Sequence, residues 1–442
     1  MSHRYRQINM NTPARMREFL EDDSGLAMTT VMAISAILFI LVTTLLVLSS
    51  NLVLGTQRQA ASTKAVHMAD AGLNAYLYEL RRNPTFYLST PSLGPTVLDD
   101  GVWTVTAAGS GSPGAPVDLT AVGAIPGLDT TRTIYAQVRF PTYAEYMFLV
   151  DADISIGTEA LILGSIRANG DIENKGAVTG DALAAGVVVD TAVGTASDSL
   201  PRGIRGTASG GQSNINFDQV SVDMNLMKET AKSSSTYYAG SGASGYEVVM
   251  RSDNTVAIYK VTGGTTSGNL STSLIGTVAV PSSGVLYFDD KVWVRGTYST
   301  KLTIVSGSDS IWINGNIEPS DLGSVHICGL IAQDSVIVPS WYPLTPQFPQ
   351  DVEVVAALLA QKGKVEADMQ TGAFRNSIRI LGSMAYSEQG GFVSVNTWSG
   401  AQVAGFRERT YEYDERLEVE PPPYYPRLRD GTLKVSTWFS QG

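Results

Sequence analysis

The stretch that decides the fold is SGLAMTTVMAISAILFILVTTLLVLSSNLVLGTQ, residues 24–57. It contains no charged side chain, and its apolar part runs from Leu26 to Leu54 with only uncharged polar residues among the apolar ones. A helix needs about 20 apolar residues to cross a bilayer. We therefore predict a membrane span over residues 26–57. A buried core helix rarely stays uncharged for so long, and a cleaved secretory signal has a shorter apolar region, about 7–15 residues.

The helical pattern continues beyond the span. Small and apolar residues recur at steps of three and four, which places them on one helical face. That face comprises Ala61, Ala65, Ala69, Gly72, Leu73 and Tyr76. We interpret it as a helix-packing face on an amphipathic stalk. Pro84 is expected to end the helix, because the residue before a proline disfavours the helical conformation.

Composition and charge exclude several classes of protein. A chain of 442 residues with 43% hydrophobic residues is too long for one ordinary core and too apolar for global disorder. Its net charge of −11 argues against a general nucleic-acid binder. The single cysteine, Cys328, cannot form an internal disulfide. Four basic residues precede the span and four follow it soon after, so the charge bias does not set the orientation.

Two phrases around this helix resemble the type IV pilins, and more closely the PilX-type minor pilins and pilus assembly proteins. They are Ser24-Gly25-Leu26-Ala27, which opens the helix, and the phrase AVHMADAGLN, residues 65–74. The resemblance covers about residues 15–142. One departure is clear: most major pilins carry a glutamate five residues after the cut, where this chain has Thr30, or Met32 if the cut follows Ala27.

The resemblance implies a route to the cell surface. A prepilin peptidase would cut between Gly25 and Leu26 and release a cytoplasmic leader, residues 1–25. The protein would cross the cytoplasmic membrane once, with its N-terminus inside and its body outside, and would enter an extracellular pilus. Its partners would then be membrane lipid, the peptidase and other pilin-like subunits bound through the N-terminal helix.

Three runs after the stalk alternate between apolar and polar residues. They cover residues 102–107, 117–122 and 131–139 and are separated by turns rich in Gly, Pro and Ser. Period-2 runs of this kind predict an antiparallel meander with one buried face. The amphipathic half of the long helix is the available partner for that face.

A six-residue period begins after residue 146. Gly164, Gly170 and Gly176 share it with small apolar residues two positions later. The apolar positions are Ile154, Ala160, Ile166, Ile172, Val178 and Ala184. Hexad repeats are typical of a parallel β-helix, in which each repeat supplies one short strand. Ordinary β-hairpins are the alternative interpretation.

Short apolar runs return from residue 292 to residue 386, many of them ending at a glycine. This pattern of short apolar runs is typical of buried parallel strands. It also resembles the pattern in the bactofilins, which are polymer-forming β-helix proteins. Between the two stretches, residues 217–232 predict a helix with Asp218 as its cap and Val222 and Leu226 among its apolar positions. A hairpin follows at residues 246–250 and 256–261.

The predicted fold class is mainly β with one long N-terminal helix. An antiparallel pilin-like sheet precedes a parallel β-helix, or solenoid, body, and the proline-rich C-terminal segment is expected to lay its last strand across that solenoid. The predicted segments are a leader (1–25), a transmembrane helix (26–57), a stalk helix (58–83), an antiparallel subdomain (84–143), a first solenoid part (144–195), an insertion (196–286), a second solenoid part (287–390) and an aromatic strap (391–442).

The candidate chemical motifs are weak. His326 and Cys328 would share a face of a strand and form half a metal site, but the chain has no second pair, which favours core packing. Residues 240–245 match G-x-G-x-x-G, but they precede a strand instead of following one, which favours a flexible loop. We predict neither a metal nor a cofactor.

The aspartates of the first solenoid part leave two further readings open. Asp151, Asp153, Asp171 and Asp181 could line a catalytic groove, since general acid–base cleavage of a polysaccharide needs two converging carboxylates, or could hold calcium weakly. Surface solvation of the coil edges is the preferred reading.

The sequence therefore favours a structural protein that is not an enzyme, namely a low-copy or tip component of a type IV pilus or related filament that acts in assembly or surface adhesion. The alternatives are a membrane-anchored scaffold that polymerises through its β-helix and a protein that binds or cleaves a surface polysaccharide.

Overall fold

The structure is a computed structural model that describes residues 23–109, 111, 115–195, 200–264, 270–340, 349–396, 398, 400–429 and 433–441. The fold is mainly β, with one long N-terminal helix and with both antiparallel and parallel sheets, as the sequence predicts.

The first element is a single continuous helix, α1 (Asp23–Arg82), of 60 residues. It is about 90 Å long at a rise of about 1.5 Å per residue. Polar residues inside it are satisfied by the preceding turn: the hydroxyl of Thr43 donates to the Phe39 carbonyl at 2.8 Å, and that of Thr44 to the Ile40 carbonyl at 2.6 Å. The helix ends before Pro84, as predicted, and a short helix α2 (Phe86–Ser89) follows.

Four antiparallel strands come next, in the spatial order of the chain. They are β1 (Ser92–Leu98), β2 (Gly101–Gly109), β3 (Val117–Ile125) and β4 (Thr130–Arg139). Strands β2 to β4 contain the three alternating runs, so the predicted meander is confirmed. The sequence does not reveal β1, because Gly94 and Pro95 interrupt it and most of its side chains are exposed.

The inner face of this sheet packs on the C-terminal half of α1, as predicted. Leu73, Tyr76 and Leu80 of the helix are fully buried together with Leu119 and Ile134 of the sheet. Along β3 buried and partly exposed residues alternate, which is the expected signature of a sheet with one covered face.

The chain then forms a second unit, here called the body. Its first strands are β5 (Phe148–Val150), β6 (Ile154–Ile156), β7 (Leu161–Leu163), β8 (Ile166–Ala168), β9 (Ile172–Asn174), β10 (Ala177–Val178), β11 (Ala182–Ala184), β12 (Val188–Asp190), β13 (Gly203–Ile204) and β14 (Ala208–Ser209).

These strands make three parallel ladders: β5-β8-β11-β14, β7-β10-β13 and β6-β9-β12. In the third ladder Ile154 pairs with Ile172, and Ile172 pairs with Val188. Three hexads thus make about one coil. The parallel pairing excludes the hairpin alternative here. Of the six predicted hexad positions only Ala160 lies outside a strand.

A helix and a hairpin follow the first coils. Helix α3 (Val220–Ser233) starts after a 3₁₀ turn at Phe217–Gln219, and β15 (Tyr237–Tyr238), β16 (Gly245–Met250), β17 (Thr255–Gly263) and β18 (Ser271–Ala279) come next. The predicted helix and the predicted β16–β17 hairpin are both present.

Two details of the α3 prediction are wrong. The cap is the side chain of Asn216, which accepts from the Asp218 amide at 2.9 Å, so Asp218 donates its backbone and does not cap. Val220, Met224 and Met227, which the sequence also predicts as apolar positions of this helix, form its buried stripe, whereas Val222 and Leu226 lie off that stripe and are 54% and 45% exposed.

The second run of the body contains β19 (Val285–Phe288), β20 (Val292–Tyr298), β21 (Leu302–Ser306), β22 (Ile311–Pro319), β23 (Cys328–Ala332), β24 (Val336–Pro339), β25 (Asp351–Ala360), β26 (Val365–Asp368), β27 (Phe374–Tyr386), β28 (Val393–Val395) and β29 (Gln402–Tyr413). One ladder runs β19-β21-β23-β25-β27 in parallel. Among these described strands, β28 and β29 form an antiparallel pair with each other.

The two runs meet at a seam and form one stack. Strand β27 pairs in parallel with β5, and β29 pairs in parallel with β7. The chain therefore enters the stack at its middle and winds outward to β14. It then returns along the outside through α3 and winds back from β19 to the seam. The buried stripe of α3 covers an outer apolar ladder that includes Leu149, Val305 and Leu359.

The last elements bring the chain back to the first sheet. After helix α4 (Arg416–Val419), Pro422 lies over Gly329, where an added Cβ would be 2.8 Å from the proline ring, and the hydroxyl of Thr303 donates to the Pro423 carbonyl at 2.6 Å. The final strand, β30 (Lys434–Gln441), then pairs antiparallel with β4. The proline segment does cross the body, but the expectation that the last strand does so is wrong. Strand β4 pairs with β3 on one side, so its other edge has free backbone hydrogen-bonding groups, and β30 pairs with that edge.

Gly123 on β3 provides a test of the contact between helix and sheet. A Cβ there would lie 2.0 Å from the Ala65 carbonyl oxygen and 2.5 Å from the Ala69 amide nitrogen. Since neither backbone group can move without shifting α1, Gly123→Ala should destabilise the sheet by about 1–3 kcal/mol. The measurement is urea denaturation of the detergent-solubilised chain. Gly127→Ala is the control, because nothing lies within 4 Å of its added Cβ. Equal midpoints for the two variants would contradict the described packing.

Candidate functional site

The N-terminal half of α1 is an uncovered apolar cylinder. Its large side chains are 50–71% exposed from Met28 to Leu54. The helix contains a stretch long and apolar enough to cross a membrane, and none of that stretch is buried inside the protein. Such a surface is unstable in water at a cost of about 25 cal/mol for each Å² exposed. Lipid or other apolar helices are the kinds of surface that could cover it.

The predicted processing site lies at the start of this cylinder. Gly25 and Leu26 fall in the first turn of α1. The structure describes their backbone but not their side chains, and residues 1–22 of the leader lie outside the described residues. Cleavage between Gly25 and Leu26 stays a prediction.

The predicted helix-packing face has a different partner from the one expected. Its six residues are all buried under the protein's own sheet, with Ala65, Ala69, Leu73 and Tyr76 at 0% exposed. A Cβ on Gly72 would lie 2.8 Å from the Trp103 ring. A neighbouring subunit cannot reach this face, so the idea that these small residues admit a second helix is wrong.

The outward face of the same half-helix is polar and basic. Its exposed side chains include Lys64, His67, Tyr78 and Arg81. Lys64 pairs with Asp100 at 2.8 Å in an exposed position, where an ion pair contributes little. Contacts of this half with other subunits would therefore have to be polar, while those of the first half are apolar.

A cluster of four charges joins the sheet to the body. Arg139 ends β4 and Lys434 begins β30, and both reach the carboxylate of Glu145, Arg139 at 2.8 Å. Glu418 of α4 adds contacts to Arg139 at 3.3 Å and to Lys434 at 3.8 Å. The side chains of Arg139 and Glu145 are 3% and 5% exposed. The sequence gives no signal for this cluster, because its partners are up to 289 residues apart.

The aspartates of the body link one coil to the next. A carboxylate oxygen of Asp153 accepts from the Asp171 amide at 2.8 Å, one of Asp171 from the Val187 amide at 2.8 Å, and one of Asp181 from the Thr207 amide at 2.7 Å. These side chains therefore bond neighbouring coils to each other, in addition to the solvation of the coil edges that the sequence predicts. The hexad glycines make room for them, since a Cβ on Gly170 would lie 2.1 Å from the Asp153 carboxylate.

His326 and Cys328 do not face one another on a strand. Cys328 opens β23 and is 1% exposed, so burial raises the pKa of its thiol and keeps it protonated. His326 lies before the strand, half-buried, with its Nδ1 3.2 Å from the Ser320 hydroxyl. The packing prediction is right for Cys328 and wrong for His326. Among the residues that the structure describes, no group of three His, Cys, Asp or Glu side chains could hold a metal ion.

The G-x-G-x-x-G phrase lies in the loop between β15 and β16. The amide of Ser241 donates to Asp290 at 2.7 Å, which fixes the loop to the body. The segment follows a two-residue strand and opens β16 instead of a helix. It therefore lacks the strand–loop–helix geometry that cradles a dinucleotide phosphate.

Comparisons with known proteins add little to this geometry. No protein-family model and no curated protein matches the chain. Among solved structures, the crystal structure of the competence-associated pilin ComZ from Thermus thermophilus aligns with 86% of this chain and 98% of its own, at 13% identity and a TM-score of 0.33. A similarity at that level supports no conclusion about this chain, and the function has to be inferred from the residues themselves.

The charged cluster yields a stability prediction. Glu145→Ala would leave the buried guanidinium of Arg139 with only the exposed Glu418 carboxylate at 3.3 Å, so the free energy of unfolding measured in urea should fall by about 3 kcal/mol. Glu418→Ala is the matched control: its side chain is 54% exposed, and the expected loss is about 1 kcal/mol or less. Equal losses in the two variants would show that the buried pair does not hold sheet and body together.

Proposed function

We propose that the protein is a structural, membrane-anchored, pilin-like subunit of a type IV pilus or a related filament. The observation that carries the proposal is α1, because one unbroken helix has an uncovered apolar half and a second half packed on an antiparallel sheet. The PilX-type phrases at residues 24–27 and 65–74 support the same family.

The mechanism follows from the two halves of the helix. The apolar half holds the subunit in the cytoplasmic membrane, with the leader inside and the body outside. An assembly machine then moves that half from lipid into a bundle of similar helices, where apolar contacts to neighbours replace contacts to lipid. The face under the sheet stays covered throughout and fixes the direction in which the body projects.

The size of the body favours a tip or low-copy position in the filament. We interpret the parallel stack as a β-helix, on the strength of its three ladders and of first coils that each take up about three hexads. A body of this size on every subunit would crowd a thin filament. At the tip it would lie free and be available for surface adhesion.

We also propose that the chain has no catalytic activity of its own. The carboxylates of Asp153, Asp171 and Asp181 accept hydrogen bonds from backbone amides of the next coil. Carboxylates held in this way do not converge on a bond in the way that acid–base cleavage of a polysaccharide requires.

A second candidate is a membrane-anchored scaffold that polymerises through the body. The supporting observation is the outer end of the stack, where β12, β13 and β14 each pair on one side only among the described strands. Val187, Val189 and Val193 are 57%, 45% and 80% exposed there. Open strand edges of this kind are templates for pairing. Filaments that form without any prepilin peptidase would favour the scaffold.

The processing step provides the main test of the pilin proposal. The intact mass and the first residue of the membrane-extracted protein are measured in cells with and without a prepilin peptidase. We expect a chain that begins at Leu26 only when the peptidase is present. Gly25→Val should abolish the cut, whereas Gly55→Val, in the same helix, should not. A chain that keeps residues 1–25 in both strains would contradict the pilin proposal. It would indicate a signal-anchored protein and favour the scaffold candidate.

The apolar half of α1 provides a second test. Replacing Leu41 by Arg places a charge near the middle of the span and should oppose insertion by about 2.5–3.5 kcal/mol. The expected result is a lower fraction of the protein in the membrane pellet. Leu274→Arg is the matched control, because Leu274 is similarly exposed but lies on β18 of the body. If both variants pellet like the original chain, the helix does not anchor the protein.

A further inference from the structure

A cavity of about 490 Å³ opens at the seam where the two runs of the body meet. One wall is β6 with the turn that follows it, and the opposite wall is the β28–β29 hairpin. The cavity exists because the third ladder stops at β6, which pairs only with β9 among the described strands. The next coil has no described strand in that place, and the hairpin only partly fills the gap.

The floor of the cavity is aromatic. Phe148 lies edge-on to Tyr411 with ring centroids 5.3 Å apart, and Phe392 lies 5.9 Å from Tyr411. Tyr386 completes the floor, and it is 8% exposed while Tyr411 is 7% exposed. The rings pack on one another and leave a small apolar surface at the bottom of a site that water can enter.

Two tyrosine hydroxyls belong to this floor. Tyr386 and Tyr411 both line the cavity, and neither hydroxyl bonds to a protein group among the residues that the structure describes. Burial raises the pKa of both groups, and the neighbouring Tyr411 adds to the rise for Tyr386. Both therefore stay protonated. Hydroxyls that face an open cavity can bond to water or to a ligand, so a polar ligand that displaces the water can take over these hydrogen bonds.

The charges at the rim are already engaged. Asp153 accepts from the Asp171 amide, Glu159 pairs with Arg202 at 2.8 Å, and the Arg409 guanidinium donates to the Phe406 carbonyl at 2.8 Å. The amides of Gln389 and Gln402 add uncharged polar groups to the lining. Because Glu159 is paired with Arg202 and the remaining rim charges, on Asp153 and Arg409, are of opposite sign, the rim has no excess charge that selects an ionic ligand. The cavity thus favours a ligand that is neutral, rich in hydroxyl groups and apolar on one face.

We propose that this cavity is a binding site for a neutral carbohydrate, with one sugar ring lying on the aromatic floor and exchanging hydrogen bonds with the Tyr386 and Tyr411 hydroxyls. The C–H face of a pyranose matches an aromatic surface, and its hydroxyl groups match the tyrosines. The hairpin that walls the cavity also carries Trp398, which is 97% exposed. An exposed indole of this kind can stack on a further unit of a longer glycan.

The proposal deepens the proposed adhesive role and rests on it only for its biological use. Binding can be measured on the solubilised chain whether or not the protein enters a filament. A failure of leader cleavage would therefore leave the sugar site standing, and a failure of sugar binding would leave the pilus proposal standing.

The test uses the full chain in micelles of a detergent without a sugar headgroup, so that the detergent cannot occupy the site. An array of neutral and acidic oligosaccharides identifies those that are retained, and the best neutral one is then titrated calorimetrically. We expect retention of neutral members in preference to acidic ones. If no neutral oligosaccharide is retained, the proposal is overturned.

Matched variants locate the site. The double variant Tyr386→Phe, Tyr411→Phe keeps both rings and should weaken binding about tenfold, since two hydrogen bonds are lost. Tyr413→Phe is the control, because its hydroxyl is buried and unpartnered in β29 but lies outside this cavity. The surface variant Trp398→Ala cannot disturb the core and should weaken binding of longer oligosaccharides more than of short ones. Unchanged affinity in both the double variant and Trp398→Ala would place the sugar elsewhere.

Discussion

The structure depends on the pairing of its last strand with its fourth. Strand β30 completes the edge of β4, with Lys434 opposite Arg139, so the whole body is an insertion between two neighbouring strands of one sheet. Closing so long a loop costs entropy, although the cost grows only slowly with length. The buried pair of Arg139 and Glu145 forms at the place where both ends of the insertion leave the sheet. Sheet, body and C-terminal segment are thereby held in one arrangement.

This arrangement separates the two activities that the protein is proposed to combine. The apolar half of α1 needs a hydrophobic environment, whereas the small residues of the second half pack against the protein's own sheet. Among the described residues, the hydrophobic cluster between helix and sheet contains no residue of the body. Anchoring and assembly can therefore depend on the helix while the seam cavity, in the body, remains open to solvent.

The sequence predicted most of what depends on local periodicity. The uncharged run predicted the membrane-length part of α1, and the alternating runs predicted β2 to β4. The hexads predicted the parallel coils, with Ile154, Ile166 and Ile172 in strands. Contacts between residues that are distant in sequence could not be predicted from local periodicity. The alternation near Trp438 indicates a strand but does not say that β4 is its neighbour. The stripe of Ala61, Ala65 and Ala69 likewise indicates close approach but not what approaches. The seam cavity has no sequence signal, because Phe148, Tyr386 and Tyr411 meet only through the stacking of separate coils.

The insertion has a mechanical consequence. The two connections to the body leave the sheet side by side, at the same end of the antiparallel pair formed by β4 and β30. A load applied to the body pulls on both strands in the same direction and is divided between them, so it does not peel one from the other. The tension then passes through the sheet into the packed half of α1. A subunit built in this way would resist traction on its outer part without unwinding the coils that carry it.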